Sequence, residues 1–290
     1  MSDEQRLTWT PKDTRELLDH GKAIWDWLKK RWPSKPNPTD TLLPESTEPE
    51  RGILVIGPGG TGKSTFAMLL SGQLQPWIFG DHWKYQESIG EEVFALLDVP
   101  GVEIVVPAGQ EHRREASWAN IRADIGAGRY SGIVLTTAYG HHAFSGLGYK
   151  LHPLFRGAKP QFLADFAEEK RKDEIRALEF ILPALESAPD KLWLMTLATK
   201  QDLWWGSRED AQRFYTDGKW KELLTHVSSI RGAWRFRHEY CAVSLTLSNL
   251  TDPEGNVLFP TTAGYDMGSQ AETVKRWASA FDALRKWEEK

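Results

Sequence analysis

The stretch GPGGTGKST, residues 57–65, decides the fold of this chain. It matches the pattern G-x-x-x-x-G-K-[ST] at every fixed position, and it stands between the apolar runs ILVI at 53–56 and FAMLL at 66–70. A strand, a glycine-rich loop and a helix in this order form a phosphate-binding loop. The glycines let backbone N–H groups converge on phosphate oxygens, and the helix start adds its positive end. The sequence therefore predicts a nucleotide-binding α/β domain.

Two side chains of this loop carry most of its expected chemistry. Lys63 is expected to reach the β and γ phosphates, and the Ser64 hydroxyl is expected to bind Mg²⁺. Lys63 is therefore predicted to contribute to catalysis as well as to binding. The predicted nucleotide-binding residues of the loop are Gly57, Gly59, Gly60, Thr61, Gly62, Lys63, Ser64 and Thr65.

A second motif, TKQD at 199–202, directly follows the apolar run LWLMTLA at 192–198. A carboxylate at Asp202 would accept hydrogen bonds from the ring N–H and the amino group of guanine, whereas adenine offers neither in that arrangement. Charge-assisted bonds of this kind contribute about 1.5–3 kcal/mol each. Lys200 would lay its aliphatic stem along the base. The sequence therefore predicts a guanine site formed by Thr199, Lys200 and Asp202.

Beyond Arg51, short β-rich runs alternate with helical runs. This alternation predicts a three-layer α/β domain with a mostly parallel six-stranded sheet and helices on both faces. The turn sequence DVPG at 98–101 predicts a hairpin, which makes one edge strand antiparallel. The expected strands are 52–56, 91–97, 102–106, 131–137, 191–198 and 237–245. The expected helices are 63–74, 116–126, 162–187, 208–227 and 271–288.

Residues 1–50 are predicted to form an appendage to a domain that spans 51–290. Apolar residues fall on one face of a helix predicted over 10–32, and prolines punctuate the polar linker that follows up to residue 50. We expect the apolar face to dock on the domain or on a protein partner. A peripheral contact with a membrane surface stays the alternative, because Trp and Lys suit an interfacial helix.

Composition excludes several classes of function. The formal net charge is −4, so nothing favours nucleic acid, whose binding proteins usually carry a basic field. The single cysteine, Cys241, lies in an apolar stretch and is expected to pack in the core, which fits a reducing, cytoplasmic compartment. No apolar run approaches the ~20 residues of a membrane span.

With the phosphate loop and TKQD in place, residues 51–290 resemble small GTPases of the Ras/Arf type. The resemblance implies a six-stranded sheet and binding of GTP or GDP with Mg²⁺. It also implies a molecular switch that hydrolyses GTP slowly to GDP and phosphate. Such a switch would act on a protein effector or regulator, which the sequence does not identify.

Three further stretches are similar to motifs of that family. In SIGEEV at 88–93, Ser88 would close on Mg²⁺ and the γ-phosphate. In PAGQE at 107–111, Gly109 would contact the γ-phosphate and Gln110 would orient the attacking water. At the end of the strand expected over 237–245, Ser244 or, alternatively, Ser248 would take the place of the serine in the family's loop beside the guanine oxygen.

The sequence departs from the family at Val106, where the resemblance expects the aspartate that holds Mg²⁺ through water. An alternative register assigns the D-x-x-G motif to Asp98 and Gly101. That register would make the apolar run VEIVV at 102–106 a solvent-exposed switch loop. Because this composition is unusual for such a loop, we favour the hairpin.

The stretch 139–161 is an insertion relative to the compact family pattern, and we expect an ordered loop near the nucleotide. His141, His142 and His152 lie in it, but neighbouring histidines point apart and no carboxylate or cysteine accompanies them in sequence, so packing is favoured over a metal site. Two other functions stay open. One is a GTP-binding interaction module without catalysis, motivated by Val106. The other is an ATP-using enzyme such as a small-molecule kinase, because the arginines within 111–129 suit a lid.

Overall fold

The computed structural model describes residues 51–73, 91–96, 102–108, 111–142, 144 and 148–290. The predicted N-terminal helix and proline-rich linker, both within residues 1–50, lie outside these ranges. Three predicted site residues, Ser88, Gly109 and Gln110, lie outside them as well.

One six-stranded sheet forms the centre of the domain. Its strands are β1 (Gly52–Ile56), β2 (Glu92–Ala95), β3 (Glu103–Val106), β4 (Tyr130–Thr137), β5 (Leu192–Ala198) and β6 (Phe236–Ala242). They lie in the order β2-β3-β1-β4-β5-β6, and every neighbouring pair is parallel except β2 with β3. The predicted fold class is confirmed in its sheet: mostly parallel, six-stranded, with one antiparallel edge strand.

Helices cover both faces of this sheet. They are α1 (Lys63–Leu70), α2 (Glu111–Gly126), α3 (Lys159–Ser187), α4 (Gln201–Trp204), α5 (Arg208–Thr216), α6 (Gly218–Arg231) and α7 (Met267–Glu288), with 3₁₀ turns at Tyr149–Leu151 and Trp205–Ser207. Apolar side chains of α1 and α7 pack on one face, and those of α2, α3, α5 and α6 pack on the other. No helix in the described ranges combines the length and apolarity needed to cross a bilayer.

Burial explains why the central strands are apolar without alternation. Every residue of β1, β4 and β5 is buried, as expected for parallel strands covered on both faces. In β2 the exposure alternates instead, with Phe94 facing the core and Val93 facing solvent. Cys241 of β6 is buried in the core, as predicted, and burial raises the pKa of its thiol to about 12.

Several predicted boundaries were wrong. The single helix expected over 208–227 is two helices, α5 and α6, because Asp217 between them has an extended backbone and Gly218, the first residue of α6, has a φ of 55°. The last strand of the sheet ends at Ala242, three residues earlier than expected. The sequence also missed a small hairpin of β7 (Leu250–Thr251) and β8 (Val257–Phe259), because strands this short carry no readable periodicity.

The β2–β3 hairpin is confirmed, although its turn at 98–101 lies outside the described residues. Strand β3 occupies most of the run VEIVV and pairs with β1 in parallel, with Ile53 opposite Ile104. These apolar residues therefore belong to the sheet. The alternative register, which would have placed them in a surface loop, is contradicted.

Candidate nucleotide site

The glycine-rich loop connects the carboxyl end of β1 to the start of α1. Gly57 has a φ of 153°, and a Cβ added there would lie 2.2 Å from the carbonyl oxygen of Thr136 on β4. Gly60 and Gly62 have φ values of 74° and 84°, in the left-handed region that favours glycine. The loop therefore needs glycine at these positions both for its turns and for its close approach to β4. The first turn of α1, from Lys63, follows directly.

Threonine hydroxyls fix the underside of the loop. The hydroxyl of Thr61 donates to the carbonyl oxygen of Pro58 at 2.9 Å and lies 2.7 Å from the hydroxyl of Thr136. The Thr136 hydroxyl lies 3.3 Å from the carbonyl oxygen of Ile56. Thr61 and Thr136 are fully buried, so these bonds are shielded from water and hold the loop on the end of β4.

The two side chains with predicted phosphate and metal roles follow the loop. The ammonium group of Lys63 donates to the carbonyl oxygen of Pro58 at 3.1 Å, so the side chain folds back over the loop. The hydroxyl of Ser64 donates to Oε2 of Glu92 on β2 at 2.6 Å. Gly59, in the loop, and Thr65, in the first turn of α1, are half-buried.

These groups fit the nucleotide and cation that the loop predicts. Backbone N–H groups and an ammonium group suit phosphate oxygens, and a hydroxyl oxygen suits a hard cation such as Mg²⁺. Within the ranges that the structure describes, no three side chains among His, Cys, Asp and Glu form a metal site by themselves. A cation at Ser64 would therefore depend on nucleotide phosphates and water for most of its ligands.

Thr199 ties the phosphate loop to the predicted base-binding segment. Its hydroxyl lies 2.7 Å from the carbonyl oxygen of Thr61 and 2.9 Å from that of Thr137, and its N–H also donates to Thr137. Thr199 is buried. A single side chain thus joins the ends of β4 and β5 to the glycine-rich loop.

Lys200 and Asp202 follow Thr199 at the same edge of the sheet. Lys200 adopts a left-handed backbone with a φ of 53°, which is uncommon for a residue other than glycine. Desolvation lowers the pKa of its ammonium group to about 8, although the nearby charge of Asp202 acts in the opposite direction. Burial raises the pKa of the Asp202 carboxyl, which is only 1% exposed, and the hydrogen bond from Ser244 opposes that rise.

The Asp202 carboxylate is oriented by residues from two other segments. The hydroxyl of Ser244 donates to Oδ1 at 2.5 Å and accepts the N–H of Asp202 at 2.8 Å. Beyond β8, the hydroxyl of Thr261 lies 3.4 Å from Oδ2, and the N–H of Thr262 donates to the Asp202 carbonyl oxygen at 2.7 Å. Sequence reasoning predicted Ser244 beside this site but missed the two threonines, since no local motif marks them.

The insertion after β4 is held by a buried carboxylate. Glu174 of α3 accepts the N–H groups of Ala138 and Gly140 at 2.8 and 3.1 Å, lies 2.7 Å from Nε2 of His142, and accepts the hydroxyl of Tyr215 at 2.7 Å. Residues 138–142, where the chain leaves β4, are therefore held in place by these hydrogen bonds. This arrangement agrees with the packing role that we favoured for the histidines.

Comparisons with known proteins give structural likeness alone. No protein-family model and no curated protein matches the chain. It is similar to the ADP-ribosylation-factor-like GTP-binding protein, the small COPII coat GTPase SAR1 of Encephalitozoon cuniculi in complex with GDP, with 15% identity over 80% of this chain and 79% of that one and a TM-score of 0.36. At such identity and TM-score, function must be argued from this chain's own residues.

Two similar structures come from Chaetomium thermophilum. The signal recognition particle receptor SRb–GTP/SRX complex is 11% identical over 67% of this chain and 90% of that one, with a TM-score of 0.37. The SRb–GDP structure is 11% identical over 71% and 92%, with a TM-score of 0.36.

Val106, at the carboxyl end of β3, is fully buried among the apolar side chains under α1. It offers no ligand to a cation. The departure that the sequence shows from the Ras/Arf pattern is therefore a hydrophobic contact in the structure.

Proposed function

We propose that this chain binds GTP and GDP with Mg²⁺, hydrolyses GTP slowly and acts as a molecular switch on a protein partner. The observation that carries the proposal is the contact of the Thr199 hydroxyl with the carbonyl oxygens of Thr61 and Thr137. It joins the glycine-rich loop to the predicted base-binding segment at the carboxyl edge of the sheet, where open α/β sheets bind ligands.

The chemistry of Asp202 supports guanine over adenine. A buried carboxylate needs hydrogen-bond donors, and guanine offers its ring N–H and amino group together. Ser244 satisfies part of Oδ1 and holds the side chain in one orientation. A base without those donors would leave the remaining acceptor positions of the buried carboxylate unfilled, so selectivity is expected to be strong.

The phosphate loop supports binding of a triphosphate. Lys63 would exchange its carbonyl partner for phosphate oxygens, and Ser64 would turn its hydroxyl oxygen towards the cation. Bound Mg²⁺ supplies neutralisation of phosphate charge. The roles of Ser88, Gly109 and Gln110 in sensing the γ-phosphate and orienting water stay predictions that follow from the resemblance.

The burial of Val106 favours a second candidate, a GTP-binding interaction module without hydrolysis. Under this hypothesis the chain keeps its contacts with the base and the phosphates but does not hydrolyse GTP. Phosphate release separates the two candidates. Val106→Asp should create activity under the second reading, whereas substantial hydrolysis by the natural chain contradicts that reading.

The test is one experiment with labelled GTP and ATP, each with and without Mg²⁺, in which bound nucleotide and released phosphate are both measured. We expect GTP to bind selectively and phosphate to be released slowly. Lys63→Ala should abolish binding, while Lys275→Ala, on the exposed face of α7, should leave it unchanged. A preference for ATP would contradict the proposal and support a P-loop enzyme such as a small-molecule kinase.

A further inference from the structure

Glu92 stands directly opposite Val106 in the antiparallel pair of β2 and β3. Side chains of directly opposed residues project from the same face of a sheet, with Cβ atoms about 4.5–5.5 Å apart. Val106 faces the core under α1, and Phe94, two residues after Glu92 on the same side of β2, packs against that core. The side chain of Glu92 therefore leaves the sheet on the α1 side, one strand away from the position where an aspartate would be expected.

The Glu92 side chain reaches the start of α1. Its Oε2 accepts the hydroxyl of Ser64 at 2.6 Å. Glutamate is one methylene longer than aspartate, which helps a carboxylate to span the extra strand. The structure thus places a carboxylate against the Ser64 hydroxyl even though position 106 carries none.

The pair of oxygens suits a hard cation. Mg²⁺ prefers octahedral oxygen ligands at about 2.0–2.1 Å, and two adjacent ligands of such a shell lie about 2.9 Å apart. The separation of 2.6 Å between Ser64 and Glu92 needs only a small opening to reach that spacing. Protein sites for Mg²⁺ commonly use one or two carboxylates together with phosphates and water, which is the donor set available here.

We infer that Glu92 supplies the carboxylate of the Mg²⁺ site at Ser64 and replaces the aspartate that Val106 excludes. The inference rests on the proposed binding of a guanine nucleotide, and it adds the residue that couples Mg²⁺ to the protein. The carboxylate holds the cation directly or through a bound water. In either case the negative charge of Glu92 would attract the cation to the first turn of α1.

A purely structural role for Glu92 makes a different prediction. A carboxylate near a helix N-terminus stabilises the helix by itself, typically by 0.3–1 kcal/mol. In that case its removal would lower the thermal stability and would change nucleotide affinity equally with and without Mg²⁺. The response to Mg²⁺ therefore separates the two roles.

The experiment measures the dissociation constant of a fluorescent GTP analogue in excess Mg²⁺ and in excess EDTA; their ratio is the magnesium enhancement. Glu92→Gln keeps the size of the side chain and removes its charge. Glu103→Gln, at an exposed position of β3 in the same hairpin, is the matched control. Electron paramagnetic resonance of Mn²⁺ added to the GDP-bound protein reads the metal directly, and circular dichroism checks folding.

We expect Glu92→Gln to reduce both the magnesium enhancement and the Mn²⁺ affinity by about 10- to 100-fold. Its affinity for the GTP analogue in EDTA should change little. Glu103→Gln should behave as the natural chain. An enhancement in Glu92→Gln equal to that of the natural chain overturns the inference and leaves GTP binding intact. If Glu92→Gln does not fold, Glu92→Asp is used, and it should show a smaller enhancement because its carboxylate is withdrawn by one methylene.

The natural chain separates failure of this inference from failure of the proposed function. Absence of guanine nucleotide binding in both Mg²⁺ and EDTA would contradict the proposed function, and the inference with it. Binding of GTP with equal affinity in the two conditions would contradict the role of Mg²⁺ in the proposed function, and the inference with it. A magnesium enhancement in the natural chain that Glu92→Gln retains would contradict only the role of Glu92.

Discussion

The hydroxyl of Ser244 and the carboxylate of Asp202 form a reciprocal pair. Ser244 donates to Oδ1 at 2.5 Å and accepts the N–H of Asp202 at 2.8 Å, although 42 residues separate them in the chain. The pair fixes the rotamer of a carboxylate that is almost completely buried. A buried acceptor held in this way is suited to selecting a ligand by its donors.

Asp202→Asn is expected to weaken GTP binding by about 100-fold or more, because two charge-assisted hydrogen bonds of about 1.5–3 kcal/mol each are lost. An amide can donate to the extra carbonyl group of xanthine, so xanthosine triphosphate should bind the variant better than GTP does. Competition binding with both nucleotides checks this. Asp210→Asn, at an exposed position of α5, is the control, and unchanged selectivity of Asp202→Asn would remove the guanine assignment.

Thr199→Val is expected to lower the free energy of unfolding by about 1–3 kcal/mol. The substitution keeps the shape of the side chain but leaves the buried carbonyl oxygens of Thr61 and Thr137 with fewer donors. Nucleotide affinity should fall as well, because the loop loses its link to β5. Urea denaturation and GTP titration measure the two effects, with Thr251→Val at an exposed position as control. A normal affinity would show that the link is structural alone.

The protonation of His141 should make stability depend on pH. Burial lowers the pKa of this imidazole from 6.5 to about 4, although the carbonyl groups of Tyr139 and Ala138 act in the opposite direction. Between pH 6.5 and about pH 4, His141 is therefore protonated in the unfolded chain and neutral in the folded chain. The contribution of neutral His141 to the free energy of unfolding is complete above about pH 6.5. It is lost as the pH falls towards 4, and the loss is on the order of 3 kcal/mol.

Urea denaturation at several pH values across this window checks the prediction. In the natural chain, the free energy of unfolding should decrease as the pH is lowered from about 6.5 towards 4. In His141→Gln this decrease should be smaller. Burial also lowers the pKa of His142, so some dependence of the same sign should remain in the variant. His226→Gln, on the exposed face of α6, should keep the natural slope, and an unchanged slope in His141→Gln would contradict the assignment.

Gly132→Ala is expected to destabilise the domain by about 3 kcal/mol or more, at or above the usual 1–3 kcal/mol for overpacking. A Cβ at Gly132 would lie 1.9 Å from the ring of Trp193, its partner on β5. The indole is held in place by Glu288, which accepts its N–H at 3.0 Å, and by the edge of Phe281. Thermal unfolding compares this variant with Gly206→Ala, where the nearest atom is 3.7 Å away.

Local patterns in the sequence predicted the parts of the site that are contiguous in the chain. The strand, glycine-rich loop and helix over 52–70 follow from the local sequence pattern, because a phosphate-binding loop needs glycines at fixed spacing between a strand and a helix. The segment TKQD after β5 was also readable. The left-handed backbone of Lys200 was not, since nothing in its residue type requires it.

Glu92 shows why other parts of the site could not be read. The alternating exposure of β2 puts the side chain of Glu92 on the core-facing side with Phe94. A carboxylate on that side was the one feature of the sequence that could have pointed to a functional role. Its partner, however, depends on the register of β2 with β3 and on where α1 begins. Thr261 and Thr262 depend similarly on a hairpin too short to predict.

The sequence by itself determined the fold class and the order of strands and helices, because hydrophobic periodicity and glycine spacing act over a few neighbouring residues. Only the tertiary structure decided which distant groups meet: Ser64 with Glu92, Thr199 with Thr61, and Asp202 with Ser244. Those contacts depend on strand register and helix position. The packing of the whole sheet fixes both, and no local stretch carries that information.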